Sequence, residues 1–195
     1  SIRNFQNKFI LAISGESGSG KSETATALSE FLTQSSISNV ILRQDDYFVY
    51  PPKTNNFMRR EDENWRGMKE VKLDLLDAHI KAFKSGDQFI EKPVIEYDTD
   101  IIRNINFNFC AAKFLIVEGT YTSALSNVDK RVFIDRNFHQ TLEHRQNRNR
   151  DSSELDDFTK QVLQKEHSII SKHRALADII INSDYSIEFQ KGTKV

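Results

Sequence analysis

The sequence predicts an α/β fold of three layers, helix on sheet on helix, with a mostly parallel five-stranded sheet and a helical lid. Two observations predict the sheet. Short, wholly apolar runs (Phe9–Ile13, Val40–Leu42, Phe114–Val117, Val132–Ile134 and Ile179–Ile181) alternate with helix-spaced stretches. Such runs lack the polar alternation of a half-solvated strand, so they suit strands buried on both faces, as in a parallel sheet. A third observation says what the sheet carries. Gly15-Glu16-Ser17-Gly18-Ser19-Gly20-Lys21-Ser22 is a complete G-x-x-x-x-G-K-[ST] pattern between the first apolar run and a helical stretch, the setting a phosphate-binding loop needs.

The 195 residues bound a single domain spanning 1–195, long enough to bury a sizeable core. Hydrophobic residues make up 38% and charged residues 28%, a globular rather than disordered balance. The net charge of −1 excludes a bulk electrostatic pull toward nucleic acid or an anionic membrane, so any anion site must be local. Cys110 is the only cysteine, which rules out an intrachain disulfide and suits a reducing cytosol. It reads as a small, partly buried residue rather than a nucleophile. The longest apolar runs are four or five residues, far short of a membrane span. With no signal-peptide pattern at the N-terminus, the expected location is cytoplasmic. No feature fixes an oligomeric state, and a homo-oligomer is compatible with the sequence.

Taken in order, Ser1–Asn7 is a polar lead-in and Phe9–Ile13 the first strand. Ser22–Gln34 reads as a helix whose Ala25, Leu28 and Leu32, with Phe31 beside them, form one apolar stripe against the sheet. After a polar break, Val40–Leu42 is the second strand, ending at Gln44-Asp45-Asp46-Tyr47-Phe48. Pro51-Pro52 is expected to block regular structure, and Thr54–Arg66, without apolar periodicity, to form a long loop of the kind that is functional or disordered. Leu73, Leu76, Ile80 and Phe83 space as a second helix, with Gly86 as its C-terminal cap. Phe89–Phe109 suggests a strand or hairpin excursion. Phe114–Val117 ends at Glu118-Gly119, and Val132–Ile134 at Asp135. Phe138–Arg150 is a basic helical segment, with the lid at about residues 138–155. Leu155–Ser171 is a further helix with Asp151, Ser152 and Ser153 as candidate N-caps, and Ile179–Ile181 a last core strand. The tail from Ser183 is polar, with room for one edge strand.

In parallel sheets, ligands sit outside the carboxyl ends of the strands. This makes the Gly15–Ser22 loop, Asp45-Asp46, Glu118 and Asp135 the candidate chemistry. The loop's N–H groups and the N-terminus of the following helix offer an anion cradle made by Gly15, Glu16, Ser17, Gly18, Ser19 and Gly20. Lys21 reaches the outer phosphates and Ser22 supplies a hydroxyl to Mg²⁺. Asp45 or Asp46 is placed to accept a proton from a substrate hydroxyl, the other then being structural. Either also fits ordinary strand-end turn chemistry. Glu118 ends the most apolar strand, where an acid, more commonly Asp, anchors the metal in phosphate-loop proteins; it also fits a solvated strand-end acid. Ser22, Glu118 and Asp45 form the candidate metal set. Arg145, Arg148 and Arg150 form a cluster able to clamp phosphates as a closing lid, or a solvated face paired with Glu143 and Asp151. Tyr47, Trp65 and Tyr97 either stack on a nucleobase or cover the core. The five histidines make no zinc pattern. Absence of N-K-x-D and of D-x-x-G after a strand argues against a GTPase switch.

These segments resemble the uridine kinase and phosphoribulokinase family of phosphate-loop kinases, which includes nicotinamide riboside kinases. The matching stretches run in the family's order: Ile13–Ser22, Arg43–Phe48, Leu73–Asp98, Leu115–Tyr121, Val132–Asp151 and His173–Ile181. The loop is common to many nucleotide-binding proteins; RQDDYF and the Glu-Gly ending the later core strand narrow it. The resemblance implies a P-loop fold using ATP and Mg²⁺, with Asp45 as catalytic base and Glu118 as metal-associated acid. It implies Lys21, Arg145 and Arg148 in catalysis, and Arg150 with the loop and Glu23 on the nucleotide. Asp46, Tyr47, Trp65 and Tyr97 would fall on the substrate side. The implied reaction moves the γ-phosphate to the 5′-hydroxyl of a nucleoside such as uridine or cytidine. Nicotinamide riboside, another hydroxyl metabolite, or regulatory nucleotide binding without turnover are the alternatives.

Two departures stand out. Glu23 occupies a position where the family has Ser or Thr, and its carboxylate suits the helix dipole but repels an α-phosphate unless it turns outward. Trp65-Arg66-Gly67-Met68 lacks the acid with which uridine kinases hold the ribose, leaving Asp62 or Glu63 to replace it.

Overall fold

The computed structural model describes residues 8–109, 112–137 and 156–190. Twelve elements organise them: β1 (Phe9–Gly15), α1 (Lys21–Gln34), β2 (Asn39–Arg43), α2 (Pro52–Glu61), α3 (Leu73–Ser85), β3 (Phe89–Glu96), β4 (Ile101–Asn108), β5 (Phe114–Glu118), β6 (Lys130–Asp135), α4 (Asp157–Ile170), β7 (Ile179–Asn182) and β8 (Ile187–Phe189). Among the described residues the main sheet has six strands in the order β2-β5-β1-β6-β7-β8. The first five are mutually parallel, and the tail's edge strand β8 closes the sheet antiparallel to β7.

The apolar residues of the five parallel strands divide between two cores, as the two-residue period requires. Ile10, Ala12, Leu42, Leu115, Val117, Phe133 and Ile180 face one side, with Leu76, Ile80 and Phe83 of α3 and Ile170 of α4. Ile13, Phe114, Ile116, Val132 and Ile134 face the other, against Ala25 and Leu32 of α1. All five residues of β5 are buried, which is why it reads as one continuous apolar run. Gly86 caps α3 in the left-handed region (φ 103°), its N–H donating to Ala82 O and Phe83 O. The expected hairpin forms as β3–β4, in register from Phe89↔Asn108 to Glu96↔Ile101.

The expected loop at Thr54–Arg66 is instead largely helical, and Pro51-Pro52 starts the helix rather than blocking it. Proline is tolerated at the first helical position, where its missing N–H has no intrahelical partner. The only buried residue of α2 is Asn55, so its inward face is polar and leaves no apolar period to read. The start of α4 also differs. Asp156, rather than Asp151, Ser152 or Ser153, is the N-cap, with Oδ1 accepting from Thr159 N at 2.7 Å. Asp151–Ser153, Cys110 and the expected basic helix of the lid lie outside the described residues. No helix among the described residues is long and apolar enough to cross a membrane.

Candidate phosphoryl-transfer site

Parallel register brings the strand ends together. Glu118 at the end of β5 pairs with Ile13 of β1 on one side and Arg43 of β2 on the other. The Gly15–Ser22 loop therefore leaves β1 beside Glu118, and a four-residue 3-10 turn, Gln44–Tyr47, leaves β2 beside it. Gly119 permits this closeness: a Cβ there would lie 2.2 Å from Gln44 Cβ. The Gln44 side chain then accepts from Tyr121 N at 2.7 Å, joining the ends of β2 and β5.

The loop is held in shape by its own backbone and by a neighbouring helix. Gly20 sits in the left-handed region (φ 101°) as the N-cap of α1, a conformation that favours glycine. Lys21 is 8% exposed and donates Nζ to Glu16 O at 2.8 Å, across the loop. Ser19 Oγ is buried without a hydrogen-bond partner among the described residues. The end of α4 braces the loop from outside, through Glu166 Oε1 accepting from Ser17 N at 2.9 Å and His167 Nδ1 meeting Glu16 Oε1 at 2.5 Å. Those two contacts were not foreseeable, since nothing in the sequence ties residues about 150 positions apart.

Ser22 donates Oγ to Glu118 Oε1 at 3.1 Å, and Arg43 Nε stands 3.8 Å from the same oxygen. Glu118 is 4% exposed. Burial pushes its carboxyl above the usual glutamate range, and the nearby charge of Asp45 pushes the same way; Lys21, Ser22 and Arg43 oppose. This oxygen-only set, two carboxylates and a hydroxyl, matches what Mg²⁺ takes from a protein while phosphates and water fill the rest of its shell. Among the described residues there is no group of three or more His, Cys, Asp or Glu arranged to hold a metal ion.

The adjacent acids separate sharply. Asp45 is exposed, and its carboxylate has no hydrogen-bond or ion-pair partner among the described residues. Asp46 is ion-paired with the buried Lys92 of β3. Tyr47 is the correction among the substrate candidates. It is 0% exposed, so its ring covers the core and presents no face to a nucleobase. Its hydroxyl meets His79 Nδ1 of α3 at 2.8 Å. Burial first, and then Asp46, raise the Tyr47 hydroxyl above the usual tyrosine range, while burial and Lys92 lower His79.

Trp65 is half-buried, packed on Tyr50 with ring centroids 5.2 Å apart, and donates Nε1 to Asn55 Oδ1 at 2.8 Å. Asn55 in turn donates to Glu70 Oε2 at 2.7 Å, where Arg59 Nε also donates at 2.6 Å; Gly67 N donates to Glu70 Oε1 at 2.7 Å. Glu70 is 2% exposed and organises the whole segment, yet lies outside every motif. Tyr97 is 58% exposed in the hairpin turn, which reaches α2 through Asp100 accepting from Lys53 N at 2.7 Å. Asp62 caps its own turn at Asn64 N, 2.8 Å, and Glu63 is exposed beside Arg66. Asp135 is held by Arg174 Nε at 2.8 Å, so this strand-end acid belongs to an ion pair bridging to Glu188. Arg145, Arg148 and Arg150 lie outside the described residues.

On the other flank of the loop lies a cavity of about 250 Å³ lined by Gly18, Gly20, Glu23, Arg136, Asn182 and Tyr185. Arg136 lies 5.1 Å from the Tyr185 ring centroid and donates to its hydroxyl at 3.2 Å. Glu23 is exposed along this wall. Arg136, Asn182 and Tyr185 carry no motif; they follow the ends of β6, which pairs with the loop strand, and of β7, the next strand out, and those strand ends were the one signal that could have found them.

The family model for the phosphoribulokinase / uridine kinase family matches residues 10–183. The chain is 28% identical over 196 residues to the bifunctional alpha-galactosidase/sucrose kinase AgaSK of Mediterraneibacter gnavus, across 94% of this chain and 21% of that protein. It is 26% identical over 136 residues to a uridine kinase of Ureaplasma urealyticum, across 68% of this chain and 64% of that protein. The chain thus spans less than two thirds of the length of both relatives. Among solved structures, a possible uridine kinase from Bacillus stearothermophilus superposes with a TM-score of 0.66 at 17% identity, covering 92% of this chain and 91% of that one. Phosphoribulokinase from Rhodobacter spheroides superposes at 0.68 with 10% identity, covering 92% of this chain and 71% of that one. At those identities the likeness is one of fold.

Proposed function

Because the chain belongs to the phosphoribulokinase / uridine kinase family, we propose that it is an ATP-dependent kinase transferring the γ-phosphate to an alcohol hydroxyl of a small molecule. One observation carries the reading: the last residue of the phosphate loop, Ser22, is hydrogen-bonded to the buried Glu118 at 3.1 Å, with the open carboxylate of Asp45 close enough to raise Glu118's pKa. In this reading the phosphate cradle after β1, the metal anchor ending β5 and the proton acceptor after β2 meet at the carboxyl ends of three adjacent strands.

In this reading the loop N–H groups and Lys21 bind the phosphates, and Lys21 exchanges its bond to Glu16 O for phosphate oxygens. Ser22 and Glu118, with Asp45 beside them, would hold Mg²⁺, and the ion would supply charge neutralisation on the phosphates. Asp45 accepts the acceptor hydroxyl's proton. Arg145 and Arg148 serve as lid cations, and Arg150 holds the nucleotide. The nucleotide's base enters the cavity between Arg136, Tyr185 and Asn182, where the guanidinium and ring offer stacking surfaces. Glu23, exposed on that wall, faces the sugar side and so avoids the phosphates.

For the acceptor, a nucleoside 5′-hydroxyl is the first reading, supported by the family and the uridine kinase relative. A carbohydrate hydroxyl is the second. It is favoured by the sucrose kinase relative, which aligns across 94% of this chain, and by the engagement of Asp62 in its own turn rather than at a ribose. The test is ADP formation from ATP and Mg²⁺ with a panel of nucleosides, nicotinamide riboside, and mono- and disaccharides. Acceptor-dependent ADP above the no-acceptor rate supports the reading and selects the acceptor class. A flat response across the panel, with ATP bound, would favour a regulatory nucleotide-binding protein.

A further inference from the structure

Every residue of the Gln44–Tyr47 turn but one is tied to a different neighbour. Gln44 is bonded to Tyr121 N beyond β5, at 2.7 Å. Tyr47 is bonded to His79 of α3, at 2.8 Å. Asp46 is bonded to Lys92 of β3. Asp45 alone has no such partner among the described residues. Lys92 is an unusual residue for the place it occupies: its side chain is 5% exposed, against 23% for its partner Asp46. Its ammonium also donates to Pro93 O at 3.2 Å and lies 5.8 Å from the Tyr47 ring centroid and 5.7 Å from that of Phe107. A buried ammonium is costly unless a carboxylate and further acceptors compensate it, so this pair fixes geometry more than it adds stability.

We propose that Lys92 is a positioning residue for phosphoryl transfer: by holding Asp46 it locks the β3–β4 hairpin to the Gln44–Tyr47 turn and leaves Asp45 as the turn's single open carboxylate. This rests on the reading of Asp45 as the proton acceptor. Lys92 is too buried to meet substrate, so it acts through the turn. Of the two neighbouring acids, Asp46 has its Oδ2 already engaged by the Lys92 ammonium, whereas Asp45 has both carboxylate oxygens open to an incoming hydroxyl. The pair thus decides which aspartate does the chemistry, and it couples that aspartate to the hairpin.

The test compares the parent with Lys92→Met, Lys92→Arg, Asp46→Asn and the double variant Lys92→Met/Asp46→Asn. It reads kcat, both KM values, thermal midpoint, and amide hydrogen exchange of residues 44–47 and 90–95. Lys92→Met is expected to lower kcat by about tenfold to a hundredfold, the usual consequence of a misplaced reacting group, with KM for ATP changed less than about threefold. Exchange at 44–47 should quicken while the phosphate loop is unaffected, and Lys92→Arg should recover part of kcat. The double variant removes both charges, so it should regain thermal stability without regaining kcat. Recovery of kcat together with stability in the double variant would reduce Lys92 to a structural residue and overturn the proposal. So would a Lys92→Met enzyme with kcat within twofold of the parent. If the parent turns over no acceptor, the functional reading fails by itself; the exchange arm still decides whether Lys92 holds the turn, and unchanged exchange in Lys92→Met would overturn it.

Discussion

Ser22 Oγ donates to Glu118 Oε1 across 3.1 Å, joining the first turn of α1 to the last residue of β5. The bond spans 96 positions of sequence and two structural elements, yet it depends only on β1 and β5 lying side by side in register. It places a hydroxyl and a carboxylate together with Lys21 and Asp45 acting on the same carboxyl group. A site assembled this way is charged before any ligand arrives, and that has measurable consequences.

Glu118 is the first. Its folded pKa is raised, chiefly by burial and then by Asp45. Its contribution to stability is therefore full below the ordinary glutamate value of about 4.3 and is lost as pH rises through the raised folded value. At neutral pH the ionised side chain costs stability. Glu118→Gln is expected to raise the thermal midpoint at pH 7 by about 2–4 °C, for about 1 kcal/mol in a chain of this size. The gain should shrink toward zero as pH falls to about 4. Added MgATP should stabilise the parent more than the variant, and the variant's turnover should collapse. A variant less stable than the parent at pH 7 would mean that the Ser22 and Arg43 contacts outweigh the cost of burial.

The two aspartates should fail differently. Asp45→Asn is expected to lower kcat by about 10²–10⁴, the range for loss of a general base, with ATP affinity kept and the fold no less stable. Asp46→Asn leaves the Lys92 ammonium buried without its carboxylate, which should lower stability by about 1–3 kcal/mol and reduce activity through disorder of the turn. Kinetics and thermal melts on the pair separate the roles. An Asp45→Asn enzyme near the parent, beside a dead but stable Asp46→Asn, would reverse the assignment.

How much of this was legible beforehand follows from what each signal physically is. The apolar runs fixed the strands because both sheet faces are covered, and five of them recur in the main sheet. The phosphate loop was legible because its glycines and Lys-Ser pair are a local pattern. Asp45 and Glu118 were legible because strand ends gather at one edge of a parallel sheet. Helix α2 was not, since its buried face is Asn55 and it is held by Glu70 rather than by apolar packing. Lys92 was hidden for a related reason: a lysine in a strand reads as solvated, and only the hairpin's docking on the 44–47 turn buries it. Tyr47 was open between ligand and core, and no sequence signal could have told which way a strand-end aromatic turns.

The nucleotide side should divide into rate and affinity. Under the proposed reading Lys21→Ala removes a cation that binds the transferred phosphate, and it is expected to cost about 10²–10³ in kcat, the scale for loss of one preorganised donor. Arg136→Ala removes a stacking surface from the cavity flanking the loop, 5.1 Å from Tyr185. It should raise KM for ATP by about three- to tenfold, given about 0.5–1 kcal/mol or somewhat more for such contacts, with kcat at saturation little changed. Steady-state kinetics at varied ATP check both. A kcat effect in Arg136→Ala without a KM effect would place the base elsewhere.

The last expectation uses Trp65, the chain's single tryptophan, as a built-in probe of the segment from α2 to Glu70. Its indole N–H is bonded to Asn55, and Asn55 to Glu70, at 2.8 and 2.7 Å. Asn55→Ala should leave the indole N–H without its acceptor, alter the emission wavelength, and lower stability by about 1–2 kcal/mol. Glu70→Ala strips one acceptor group from Asn55, Arg59 and Gly67 N together, so it should cost more, about 3–5 kcal/mol, and shift Trp65 emission toward that of the unfolded chain before the global melt. Parallel fluorescence and far-ultraviolet circular dichroism melts read the two events separately. If Glu70→Ala melts in one coincident step at the parent's midpoint, the Glu70 network does not hold this segment, and its polar helix must be stabilised by Arg60 and Arg66 stacking on Phe158 of α4 instead.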